Sequence, residues 1–226
     1  MGQIPVLLLS ILLISCGTPS TFWDRGNPSA VQRHTLKELR DLHVVKQARD
    51  YSCAAAALST LLTYYFGEDT SEQQILDLLE APLSEEEKKK KLLRGFSLLD
   101  LKQVAQVKGY RAAGFKLTVN QVAQLVAPVI VFVEPFGYKH FAVYRGMDRG
   151  RVYLADPVRG NLRMSIDRFL DEWSGIVFVL SKPGEEAIHD HPLAIPHPEY
   201  VQPEIARFNG QLDLGMIIRT IPLRLP

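Results

Sequence analysis

The sequence predicts an α+β protein built on an antiparallel sheet. Three observations carry that expectation. Up to about residue 127 the apolar residues recur mostly at helical spacing. After Pro128 the chain changes to short apolar runs rich in β-branched residues, divided by turn residues in hairpin order. The chain has 226 residues with two ends unlike the middle. That leaves roughly 140–150 residues of compact chain, enough for one domain with a core of its own.

Residues 4–14 (I-P-V-L-L-L-S-I-L-L-I) form an apolar run. At about eleven residues it is too short to span a bilayer, which takes roughly 20, and it suits the core of an export signal. Leu13-Ile14-Ser15-Cys16-Gly17 resembles a bacterial lipobox, cut before the Cys, whose thiol then takes a diacylglycerol. We therefore expect a lipoprotein-type signal peptide over residues 1–15, lipidation at Cys16, and a periplasmic protein lipid-anchored to the outer membrane. Met1-Gly2-Gln3 departs from the signal pattern in having no Lys or Arg. An ordinary signal peptide cut nearby is the alternative. Residues 16–43 then read as a tether with turn residues and a lead-in helix near 31–42, followed by a short strand at Val44 and Val45.

Residues 47–67 read Q-A-R-D-Y-S-C-A-A-A-A-L-S-T-L-L-T-Y-Y-F-G. Ala54, Ala55, Ala56 and Ala57 favour a helix that opens at Cys53, with Leu58, Leu61, Leu62 and Tyr65 at helical spacing. Ser52 or Asp50 can cap its start and Gly67 can end it. A helix N-terminus favours thiolate over thiol and presents amide groups to an anion. Gln47, six residues upstream, could donate its side-chain amide to an oxyanion near the sulfur. The plainer alternative is that Cys53 is an inert small residue of a buried helix. Two cysteines, Cys16 and Cys53, also allow a disulfide. Lipidation of Cys16 would leave Cys53 as the remaining thiol.

Residues 70–79 read as a capped helix. Glu85-Glu86-Glu87 followed by Lys88 to Lys91 read as a solvated helix face with opposite charges at i,i+3 and i,i+4. Leu98, Leu101, Val104 and Ala105 mark a further helix ended by Gly109. Strands are expected over residues 110–117, 129–133, 140–144, 151–155, 161–165 and 175–180. Short helices are expected over 119–125 and 166–173. With 26 Lys+Arg against 25 Asp+Glu, the charge balance gives no footprint for nucleic acid.

A thiol nucleophile needs a base, and the base an orienting partner. His140 opens a strand after a loop, and Asp156 closes the next strand just before Pro157. In an antiparallel pair the start of one strand lies opposite the end of the next. The turn near residues 148–150 is about midway between them, so the two should be neighbours. Taken singly, His140 also reads as a satisfied core or surface His, and Asp156 as a turn residue.

The ordered set Gln47…Ser52-Cys53-Ala54, His140-Phe141-Ala142-Val143 and Asp156-Pro157 resembles peptidase family C39, papain-like peptidases that process bacteriocins. Gly160, Phe169, Trp173 and Gly175 follow in matching order, so the resemblance covers roughly residues 44–180. It implies a papain-like fold with an N-terminal helical part packed on a C-terminal antiparallel sheet. It also implies a Cys53–His140–Asp156 triad with Gln47 in the oxyanion hole and no metal or cofactor. Family members typically cut leader peptides after a Gly-Gly pair. Ala54 departs from the commoner Gly after the nucleophile and could narrow the site. No transporter sequence follows, so a stand-alone exported form is expected, similar to the peptidase component of a functional amyloid export system. The expected partner is a protein or peptide exported by the same cell.

Residues 181–226 form a Pro-rich extension. His189, His191 and His197 could suggest a metal, but no clear fourth ligand follows, and a Pro-rich surface segment is the default. The apolar stretch 212–221 should pack somewhere. The functional expectation is an exported cysteine peptidase acting on a secreted protein or its leader. A non-catalytic module of the same fold that grips an export substrate is the alternative. A cell-wall amidase or acyltransferase on the same triad ranks third.

Overall fold

The computed structural model describes residues 35–195. The signal segment, Cys16, the tether as far as residue 34, His197 and the stretch 212–221 lie outside the described residues. In order the elements are α1 (Leu36–Asp41), α2 (Cys53–Tyr64), α3 (Glu72–Glu80), α4 (Glu85–Arg94), α5 (Leu98–Val107), β1 (Arg111–Lys116), α6 (Val119–Ala123), β2 (Val129–Val133), a 3-10 turn (Pro135–Gly137), β3 (His140–Asp148), β4 (Arg151–Asp156), β5 (Gly160–Ser165), α7 (Ile166–Glu172) and β6 (Trp173–Ser181). The six strands form one sheet in the order β1-β6-β2-β3-β4-β5. Every neighbouring pair is antiparallel.

Alternation along the strands divides the core in two. Phe141 and Val143 of β3 face a cluster with Leu58, Leu61 and Leu62 of α2, Ile75 and Leu76 of α3 and Leu101 of α5. Ala142 and Tyr144 face the opposite cluster, with Val122 of α6 and Phe169 of α7. Helices thus cover both faces, the longer ones on the side of α2. Burying each such Leu contributes about 1.5–3 kcal/mol. Residues 53–62 of α2 are buried without a break, because the helix is enclosed by the sheet below and by α3 and α5 beside it. The alanines supply the small side chains that let it lie close.

Two local expectations need correction, and a third is met in part. Val44 and Val45 form no strand; the Val45 N–H donates to Thr60 Oγ1 of α2 (3.0 Å) instead of to a ladder. The lead-in helix is limited to Leu36–Asp41 within the described residues and buries no side chain. Gly67 (φ 69°) makes the chain reversal after α2, with Glu68 N–H donating to Leu62 O, but the helix itself ends earlier, at Tyr64.

The first part of the Pro-rich extension is not a free surface segment. Leu193 is fully buried and Ile195 nearly so. The β3–β4 register shifts between Tyr144 and Gly146, leaving Arg145 as the extra residue of a bulge. A bulge re-aims its side chain. The Arg145 guanidinium donates to Leu193 O and Ala194 O (both 2.9 Å) and to Asn161 Oδ1 (2.7 Å). His191 lies edge-on against Tyr65, with ring centroids 4.8 Å apart. Among the described residues no three His, Cys, Asp or Glu side chains gather where they could hold a metal ion.

Asn161 also donates to Leu42 O (2.7 Å) at the end of α1. Beside it Gly160, at φ +80°, is covered so closely that a Cβ would lie 2.6 Å from Arg40 O and 2.8 Å from Asp41 Oδ1. Gly160→Ala is expected to cost about 2–4 kcal/mol through backbone strain and displacement of α1. Urea denaturation checks it; a loss under 1 kcal/mol would show that α1 moves aside freely.

Candidate active site

Cys53 is the first residue of α2 and is 9 % exposed. Helices α1, α3, α4, α5 and α6 each start on a capping box, but α2 does not. Ser52 occupies the N-cap position without a side-chain cap bond. Its hydroxyl accepts from Arg49 N–H (3.2 Å) and donates to Arg49 O (2.7 Å). The expected cap by Ser52 is therefore absent. The first-turn amide groups beside the sulfur keep the positive end of the helix dipole uncovered by a side chain.

His140 and Asp156 come together through strand register. Val143 pairs with Ala155, so one step further along the ladder Ala142 faces Asp156. His140 stands two residues before Ala142 at the start of β3, so the end of β4 that carries Asp156 lies beside it. His140 Nε2 lies 3.0 Å from Asp156 Oδ1. The other ring nitrogen is left for the thiol side, where Cys53 helps to hold the ring's proton. Burial disfavours the imidazolium, but Asp156 and Cys53 outweigh it and push His140 up to about 9. Burial likewise opposes ionisation of Asp156. Its contacts with His140 and Arg159 overcome this and hold the carboxyl well below the usual carboxylate range.

Gln47 stands in the loop leading to α2. Its backbone N–H donates to Pro157 O (3.1 Å), directly after Asp156. Its Nε2 donates to Arg49 O (2.9 Å), while Oε1 is buried without a partner. An amide NH2 carries two hydrogens, and the Arg49 bond uses one. The loop is braced on both sides. Lys46 Nζ donates to Val158 O (2.6 Å), and Ala48 N–H to the Glu72 carboxylate of α3 (3.0 and 3.2 Å).

Two contributors were missed from the sequence. Glu72 read as part of a capping stretch, yet it holds the Gln47 loop. Arg159 was not singled out at all, yet its Nε donates to Asp156 Oδ2 (2.7 Å) and its Nη1 to Glu172 Oε2 (2.9 Å). The available signal was a charged residue three positions after the acid, where a turn folds back on its own start.

The family model described as Peptidase C39 family matches residues 41–185. Over 146 residues the chain is 38% identical to "Probable functional amyloid protease FapD" of Pseudomonas fluorescens, covering 65% of this chain and 63% of that protein. It is 34% identical over 187 residues to the protein of the same name from Pseudomonas aeruginosa, covering 82% of this chain and 80% of that one. The peptidase domain of Streptococcus ComA, a bifunctional ABC transporter, shares the fold at a TM-score of 0.52 and 22% identity, over 62% of this chain and 97% of the domain. A double glycine motif protease from an AMS/PCAT transporter, solved with its leader peptide, does so at 0.50 and 24% identity, over 61% and 89%.

Proposed function

Because the chain belongs to the peptidase C39 family, a family of cysteine peptidases, we propose that it cleaves a peptide bond of an exported protein through Cys53, His140 and Asp156. The observation that carries this reading is the buried His140–Asp156 bond at the head of the helix that Cys53 opens. With its proton held up to about 9, His140 is an imidazolium at neutral pH and a fitting partner for a thiolate. Cys53 Sγ attacks the carbonyl carbon. The oxyanion takes hydrogen bonds from the second Gln47 amide hydrogen and from first-turn amide groups of α2. His140 gives its proton to the leaving amine as the C–N bond breaks, leaving a thioester. Neutral His140 then takes a proton from water, and the hydroxide releases the acid and restores the thiolate.

The relatives in pseudomonads support a substrate in functional amyloid biogenesis: a secreted subunit or a protein of its transport route, cut at a double-glycine-type or related site. Export to the periplasm, with a lipid on Cys16, is part of the same proposal. No helix among the described residues is long and apolar enough to cross a membrane.

The test is alkylation by iodoacetamide at pH 6, followed by intact mass. An unassisted thiol is only about 0.3% ionised at that pH. Wild type is expected to take one label at Cys53 quickly, and His140→Ala at least about 10-fold more slowly. Slow labelling of both would replace the peptidase by a non-catalytic binding module of the same fold. The same spectrum reads the diacylglycerol on Cys16.

A further inference from the structure

We infer that Arg159 is a positioning residue of this site: its guanidinium, anchored on Glu172, fixes the Asp156 carboxylate that orients His140. The inference rests on the cysteine-peptidase reading above. Asp156 is fully buried, and its two oxygens are held from different directions. Oδ1 accepts from His140 Nε2 (3.0 Å) and from the backbone N–H groups of Val158 and Arg159 (both 2.8 Å). Oδ2 accepts from Arg159 Nε (2.7 Å). A carboxylate gripped at both oxygens cannot turn about its Cβ–Cγ bond, so the plane it offers to the imidazole is set by Arg159.

Arg159 is fixed in its turn. Its Nη1 donates to Glu172 Oε2 (2.9 Å), and the other oxygen of Glu172 lies 3.5 Å from Arg168 Nε, one turn back on α7. Helix α7 therefore reaches the site through consecutive ion pairs. The same short turn offers Pro157 O to Gln47 N–H and Val158 O to Lys46 Nζ. Displacing it would shift the oxyanion side as well as the acid.

The charged or titratable groups around Asp156 are His140 from β3, Cys53 from α2 beyond the ring, Arg159 from its own turn, Glu172 and Arg168 from α7, and Lys46 from the Gln47 loop. Among these, Arg159 meets the carboxylate on the side away from His140. Without its guanidinium a buried carboxylate loses its counter-charge and tends to take a proton. A neutral carboxyl no longer stabilises the imidazolium, and Cys53 loses the cationic partner beside it. The consequence is readable at the sulfur.

Alkylation of Cys53 by iodoacetamide from pH 5 to 9, on the full chain, tests this in wild type, Arg159→Met, Arg159→Lys and Glu172→Gln. Arg159→Met is expected to react about 10-fold or more slowly than wild type at pH 6. It should come within about 2-fold at pH 9, where an ordinary thiol is mostly ionised. Arg159→Lys, which restores the charge, should recover most of the acid-side rate, and Glu172→Gln should fall between. A merely structural role would lower the unfolding midpoint of Arg159→Met and leave the pH dependence of alkylation at wild type, which overturns the inference. If Arg159→Met does not fold, wild-type pH dependence in both remaining variants overturns it equally. Slow alkylation of wild type itself at pH 6 would instead sink the peptidase reading, and this inference with it.

Discussion

Asp156→Ala is expected to destabilise the domain by about 3–5 kcal/mol and to lower peptide-bond cleavage by about 10²–10⁴-fold. The stability loss follows from what the carboxylate holds. It is fully buried and accepts from four donors: the His140 ring, two backbone N–H groups and the Arg159 side chain. Alanine leaves all four without their acceptor, and a buried donor without a partner costs about 1–3 kcal/mol, more when it is charged. The activity loss has a separate origin, since His140 loses the group that sets its orientation and supports its charge. Asp156→Asn separates the two. Its carbonyl oxygen can still accept from His140 and the turn amides, but its NH2 would face Arg159 Nε, donor against donor. Cleavage by the Asn variant should exceed that by the Ala variant, with a stability loss between those of wild type and Ala. Urea denaturation and a peptide-cleavage assay on the same preparations check both. An Ala variant within 1 kcal/mol of wild type would show that the turn closes over the gap.

The parts of this site that were legible in the sequence are those governed by periodicity. The Ala run with leucines at helical spacing announced α2 and put Cys53 at its head. The β-branched runs after Pro128 announced the strands. Antiparallel register alone brought His140 and Asp156 together, because the hairpin turn falls midway between them. The illegible parts depend on contacts between elements far apart in the chain. Nothing in residues 111–116 or 173–181 says that β1 and β6 pair, or that β6 lies against β2. Glu72 carries the pattern of an ordinary first helical turn, and its bond to Ala48 N–H depends on where α3 docks. Val44 and Val45 have strand composition, yet a hydroxyl on α2 takes the Val45 amide. The extension looked unattached because Arg145 binds backbone carbonyls there, and a carbonyl leaves no mark on residue type.

The His140 proton alone is expected to contribute about 3 kcal/mol of stability at low pH that is lost between pH 6.5 and 9. The imidazole gives up its proton near 6.5 in the unfolded chain, but only near 9 in the folded one. Below 6.5 both states are protonated, and the full benefit of the Asp156 and Cys53 contacts is present. Between the two values the folded state holds a proton that the unfolded chain has released, so each pH unit removes about 1.4 kcal/mol. Above 9 the contribution is gone. Asp156 works at the other end. Its carboxyl is held low, so its contribution is present above about pH 4 and is lost as the pH falls through the folded value. The pair therefore favours the folded state most between about pH 4 and 6.5. Urea midpoints for Cys53→Ala and Cys53→Ala/His140→Gln at pH 5.5, 7.5 and 9.5 read the part that Asp156 supports, with no thiol to exchange a proton with the ring; titrations elsewhere in the chain appear in both and cancel in the difference. The gap between the two proteins should be widest at pH 5.5 and nearly closed at 9.5. A gap that stays constant with pH would mean that His140 is held in the fold by packing and that its charge does not contribute.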